Sequence, residues 1–226
     1  MFKSDPNGIK FSLDIYNKYI EEEEKEFDRT LDVVVDKLEI EGWTIPPQVT
    51  IFAIKKIGEK NNDVEILKDL NNYFKLYFSR DNYIMLKEMI DSILSSNIRD
   101  GLKKVITECW KAFQSGLYSI CATSLITVIE GILSEVGEDK RDIRMMKLCQ
   151  KKIDELPENI STLEKHIWIS YSRFIKNLYM KSDFNSDEPE RVNRHWLLHG
   201  RSDFEINELD CIRLFNSVDS LCMIIK

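Results

Sequence analysis

Residues 190–205 read ERVNRHWLLHGRSDFE. Between Arg191 and Arg201 this segment holds three arginines and two of the chain's three histidines, with no carboxylate among them. Histidine changes charge near pH 6.5, so it can accept or give a proton at neutral pH. Arginine stays charged and forks onto phosphate oxygens. The residue types therefore suit proton transfer beside a bound anion. Arg194 and His199 stand five residues apart, an R-x4-H spacing, which turns about 140° net around a helix. Two such side chains converge only on an object seated at the helix end or held between two helices. His195 and His199, at i and i+4, share a face.

The rest of the chain must position this island. Its 226 residues are 43% apolar and 31% charged, enough for a sizeable core. With 8 Gly and 5 Pro it lacks the turns of a loop-rich β fold. The net charge of −7 disfavours broad coating of nucleic acid, yet leaves room for one local anion site. No unbroken run of about 18 apolar residues occurs, and the N-terminal residues lack a signal peptide's apolar stretch, so the expected location is cytoplasmic. Five cysteines, none in a C-x-x-C pair, read as free buried thiols.

Helical periodicity runs almost throughout, and the expected fold class is all-α. Residues 12–40 read as one or two helices, with Glu21–Glu24 on a solvated face. Pro46-Pro47 forces a turn that Trp43 and Ile45 would pin to the core. A short helix is expected over 49–57, and two more over 64–79 and 82–95. In 101–115 the apolar set Leu102, Val105, Ile106, Cys109, Trp110 and Phe113 follows i, i+3, i+4, i+7, i+8, i+11. A similar stripe fills 117–136 after a short break, which predicts an antiparallel hairpin with Gly137 as a cap. Helices are also expected over 141–154, 161–180 and 208–225. Asp187, Pro189 and Glu190 resemble a capping box, which predicts a helix from about Glu188 that ends at Gly200. A soft boundary near Ser95–Asp100 separates a helical region, 1–98, of unassigned role from 99–226.

The block NRHWLLHG resembles the R-x4-6-H signature of the HEPN superfamily of RNases, with its usual polar residue after the arginine. The stretch YSICATSLITVIEGIL resembles the helix that precedes that motif, with Glu130 at the acidic position that faces the arginine. The longer pattern, with its upstream Ile-Glu-Gly, resembles bacterial and prophage-encoded proteins of the abortive-infection type. The resemblance covers roughly 99–226. It implies a HEPN-like helical domain with a helical N-terminal extension, a homodimer whose motif helices face across a two-fold axis, and RNA as substrate. It also implies a toxin or phage-defence role, with an antitoxin or regulatory protein as a possible partner. Two basic islands meeting would make one cationic cleft in an acidic body.

Cleavage of RNA by its own 2′-hydroxyl needs a proton acceptor, a proton donor and a cation on the crowded phosphorane; it needs neither a metal nor another cofactor. On this reading His199 transfers protons and Arg194 holds the phosphoryl oxygens. Asn193 and His195 position the strand or its water, and Glu130 orients Arg194 or His199. A second basic stretch, residues 140–152, would track RNA backbone or form a solvated helix face.

Other readings stand beside this one. Arg194 and His199 could simply complement the C-terminal end of a helix dipole. His195-x3-His199 has the spacing of two zinc ligands, which only Asp203 or Glu205 could complete. His166 reads as a packing residue. A non-catalytic helical module, binding RNA or a protein through the same cleft, is the alternative function. No Walker loop, dinucleotide fingerprint or nucleophile elbow occurs.

Overall fold

A computed structural model describes residues 6–59, 69–136, 145–181 and 184–225, with the backbone alone for 6–15 and 17. Among the described residues every regular element is a helix, so the chain is an all-α bundle. In chain order these are α1 (Pro6–Ile40), α2 (Ile51–Gly58), α3 (Leu70–Ser95), α4 (Asp100–Gln114), α5 (Tyr118–Val136), α6 (Met145–Asp154), α7 (Thr162–Leu178), α8 (Arg194–Leu198) and α9 (Glu208–Ile224).

The α4–α5 hairpin is the most extensive helix pair. Leu102, Ile106, Cys109 and Phe113 face Cys121, Leu125, Ile129 and Leu133 from the two sides. Leu117 N–H donates to Ala112 O at 2.9 Å and closes the turn. At the far end Arg99 Nε meets Glu135 Oε1 at 2.8 Å, which fixes the antiparallel sense. By length and composition α5 could cross a membrane. Here its apolar side chains pack against α4 and α9, as a core helix of a bundle does. Gly137, the expected cap of α5, lies outside the described residues.

Helix α1 buries Leu31, Val34, Val35 and Leu38, spaced to line one face. That face packs on α7. A ladder of ion pairs and polar contacts runs along the same contact. Lys165 meets Asp28 at 3.6 Å, His166 Nε2 meets Asp32 at 3.2 Å, and Arg173 meets Asp36 at 2.5 Å and Glu39 at 2.9 Å. His166 is buried and also contacts Thr162 O through Nδ1 at 2.7 Å, so it is a packing residue. Helix α2 crosses α1 closely at Gly58. A Cβ there would lie 2.5 Å from Thr30 Cγ2.

The segment 64–95 was expected as two helices with a break near Arg80–Asp81. That break is present: within α3 Arg80 is extended and Asp81, Asn82 and Tyr83 all have positive φ, so the element is two helical stretches joined across a kink, the first beginning at Leu70. Asp and Asn tolerate this left-handed region better than other non-glycine residues. Tyr83 is held in it by Phe113, 5.4 Å away ring to ring, and by a hydrogen bond to Glu208 Oε1 at 2.5 Å.

Helix α9 threads the centre, against α3, α5 and α7. A central helix should be apolar all round, yet α9 buries Asn216, Ser217, Asp219 and Ser220. The reason is the extended turn at Trp43–Pro46, whose backbone has no helical partners. Asn216 Nδ2 donates to Thr44 O at 3.1 Å, Ser220 Oγ donates to Ile45 O at 3.0 Å, and Ser170 Oγ accepts from Ile45 N at 3.1 Å. Trp43 and Ile45 are each 1% exposed, as the sequence predicts. Buried side chains from both sides of Ser95–Asp100 join one contiguous core.

Asp219 makes the polar row sensitive to pH. Burial pushes its carboxyl up to about 6, against the donors Gln48 and Ser92. Its folded pKa exceeds the unfolded one, so the folded state binds the extra proton. Stability linked to Asp219 is full below about pH 4 and is lost as pH rises through about 6. Two pKa units correspond to about 2–3 kcal/mol. Asp219→Asn is expected to raise stability at pH 7 by up to about that amount and to leave it unchanged near pH 4. Urea unfolding of both proteins at the two pH values measures the difference.

Candidate functional site

The segment that carries the motif is less helical than its sequence suggests. The helix expected from Glu188 to Gly200 is instead the short α8, Arg194–Leu198, and residues 187–193 are extended or bent. The capping box at Asp187 and Glu190 does not form. Glu188 instead accepts from Ser202 Oγ and, at 2.8 Å, from Asp203 N. The cap is Asn193, whose Oδ1 accepts from His195 N at 2.9 Å and Trp196 N at 3.3 Å. Its Nδ2 donates to Met180 O at 3.1 Å, and the side chain is buried. Asn193 is thus spent on positioning α8 and faces no open cleft. Asn193→Ala is expected to cost about 0.5–2 kcal/mol in urea unfolding, the usual loss of an N-cap. It should also lower any activity, because Arg194 and His195 begin the helix that Asn193 caps.

Arg194 opens α8, so the macrodipole reading, which needs a cation at the C-terminal end, fails for this residue. His199 does stand at the C-cap. Arg194 Nε donates to Glu130 Oε1 at 2.8 Å across the gap to α5. The same oxygen accepts from Tyr179 Oη at 3.0 Å, and the guanidinium carbon lies 5.8 Å from the Tyr179 ring centre. Burial and the neighbouring Glu130 push the Tyr179 phenol well up, which keeps it protonated as a donor. Glu130 therefore holds Arg194 through Nε.

Glu130, Tyr179, Arg194 and His195 line a cleft of about 460 Å³ with Met145, Met146 and Lys147 of α6. Burial and the charges of Arg194 and His199 hold His195 below its ordinary pKa, so at pH 7 its ring is neutral. The His199 ring stacks on His195, centroids 6.0 Å apart and 11° from parallel. His199 is exposed and lies edge-on to Phe184 at 5.8 Å.

The structure thus brings Glu130, Arg194 and His195 together, sets His199 beside them, and places Asn193 behind them. Tyr179 and Phe184 were not singled out from the sequence. Of the second basic stretch, Lys147 reaches the cleft, while Lys140, Arg141 and Arg144 lie outside the described residues. No group of three metal-ligating side chains converges among the described residues, so His195 and His199 gain no third zinc ligand from Asp203 or Glu205. The five cysteines are free thiols, four of them buried. Comparison with protein-family models, curated proteins and solved structures returns no match to this chain.

Proposed function

We propose that the protein is a metal-independent endoribonuclease that works as a homodimer, with a toxin or phage-defence role. The observation that carries this reading is the Glu130–Arg194 pair beside the stacked His195 and His199. A guanidinium held through its Nε by a carboxylate suits a phosphoryl oxygen. An exposed imidazole one residue past the helix suits proton transfer at neutral pH. The 2′-hydroxyl gives its proton to a histidine, the O2′–P bond forms, and the P–O5′ bond breaks as the leaving oxygen takes a proton. The products are a 2′,3′-cyclic phosphate and a 5′-hydroxyl.

The test is incubation of the folded protein with total RNA in EDTA, followed by analysis of the product ends. Cutting that leaves cyclic phosphates is expected. Loss of cutting in EDTA with recovery on zinc would replace the reading by a metal site at His195 and His199. No cutting, with RNA or a protein still bound, would favour the non-catalytic helical module.

With His195 positioning the strand and His199 alone transferring protons, one chain offers one group where an acid and a base are required, and the His199 of a second copy would supply the other. Met146 and Met180, each about half exposed, give this region the apolar surface that a partner subunit can cover. Light scattering at micromolar concentration is expected to give twice the chain mass of 26.6 kDa. A mass equal to one chain would remove the two-fold cleft.

A further inference from the structure

Past His199 the chain turns sharply, and the turn places a third arginine. Gly200 has φ +64, and its N–H donates to Leu197 O at 3.1 Å. The next amide, Arg201 N–H, reaches back to Trp196 O at 3.0 Å. These two bonds make a Schellman turn, whose left-handed residue is usually glycine. The backbone of Arg201 is therefore fixed relative to His199.

Its side chain is fixed too. The Arg201 guanidinium carbon lies 4.3 Å from the centre of the Phe184 ring. Phe184 is wedged edge-on against Trp196 at 5.3 Å and His199 at 5.8 Å. A guanidinium laid on an aromatic face keeps its N–H edges free for an anion. Arg194 has given its Nε to Glu130, whereas Arg201 makes no ion pair among the described residues. The adjacent carboxylate Glu188 is engaged by Ser202 and the Asp203 amide. In space the groups succeed one another as Arg194, His195, His199, Phe184 and Arg201.

We propose that Arg201, seated on Phe184, is a second phosphate-binding residue. It holds the RNA backbone on the side of His199 away from Arg194, at a phosphate next to the scissile one. The proposal rests on the reading of the cleft as an RNase site. A chain of singly charged phosphates matches two separated arginines with histidines between them. An isolated small anion would engage only one.

The experiment measures binding of a single-stranded RNA with 2′-methoxy groups throughout, over a range of salt concentrations. The proteins are wild type, Arg201→Gln, Phe184→Leu and His199→Ala, each checked for folding by thermal unfolding. Each phosphate contact on a single strand contributes about 0.7 to the slope of log affinity against log salt. Arg201→Gln is expected to weaken binding at low salt and to reduce that slope by about 0.7. Phe184→Leu should weaken binding in the same direction by loosening the arginine. His199→Ala should keep the slope while losing cleavage of unmodified RNA. If wild type cuts RNA and Arg201→Gln binds with unchanged affinity and slope, the Arg201 site is overturned while the RNase reading stands. If wild type neither binds nor cuts RNA, both fall.

Discussion

His199→Ala is expected to lower the rate of RNA cleavage about 10²–10⁴-fold, the usual loss when a proton-transfer group is removed. The His199 ring is exposed, and among the described residues its ring neighbours are His195 and Phe184. Its backbone N–H, which bonds His195 O at 3.2 Å, survives the substitution. The change therefore removes an imidazole and little else, and the unfolding midpoint should hardly move. Arg194→Ala should reduce cleavage by a similar order but for another reason, since it strips the phosphorane of a charge-assisted contact. It also leaves Glu130 with Tyr179 as its remaining partner. The two variants separate in their pH profiles. Loss of His199 should remove one limb of the pH–rate profile, and loss of Arg194 should lower the whole curve. Equal cleavage by wild type and His199→Ala would place proton transfer elsewhere and sink the assigned role.

Much of the scaffold was legible because burial leaves a periodic trace. The α4–α5 hairpin follows directly from two apolar stripes of period 3.6 and a three-residue break. The turn at Trp43–Pro46 was legible through its prolines. What could not be read was how α9 serves that turn, because Asn216 and Ser220 find Thr44 and Ile45 more than 170 residues away in sequence. The break between the expected helices over 64–79 and 82–95 was legible although it lacks glycine and proline; its left-handed geometry at Asp81–Tyr83 was hinted at only by the tolerance of Asp and Asn.

The site was legible in its residue types and less so in its local structure. Glu130 was placed opposite Arg194 by resemblance, and the two side chains do meet. The helix that carries Arg194 was overextended because Asp187, Pro189 and Glu190 imitate a helix start. In the fold Glu188 turns its carboxylate to Ser202 and Asp203, and Asn193 does the capping. A cap is an arrangement of one side chain over two amides, and either site satisfies the pattern on paper. Tyr179 left no signal of its own. It sits just past the end of α7, and its bond to Glu130 arises only when α5 and α7 are packed. Phe184 likewise gains its place from the folding of residues 196–201 around it.

A 2′-methoxy group at the scissile nucleotide is expected to abolish cleavage with EDTA present, while unmodified RNA of the same sequence is cut. The expectation follows from what the site can and cannot supply. On the proposed reading Arg194 supplies positive charge and His199 proton transfer, and no side chain lining the cleft is an activated nucleophile. The described cysteines do not line it: Cys149 is buried, with burial pushing its thiol up to about 12, Cys109, Cys121 and Cys211 lie in the core, and Cys222 is half-buried outside the cleft lining. The attacking oxygen must then come from the substrate itself, and methylation removes the proton that a histidine would take. The same reasoning makes DNA resistant. The modified strand keeps its phosphates, so it should still bind and should inhibit cutting of unmodified RNA. Equal cutting of both strands would exclude the 2′-hydroxyl as nucleophile and would require a water activated in the cleft. Failure of the modified strand to bind would instead mean that the 2′-hydroxyl is recognised as well as consumed. A DNA strand carrying one ribonucleotide at the cleavage point separates these outcomes, because it restores the nucleophile at a single position and should be cut there alone.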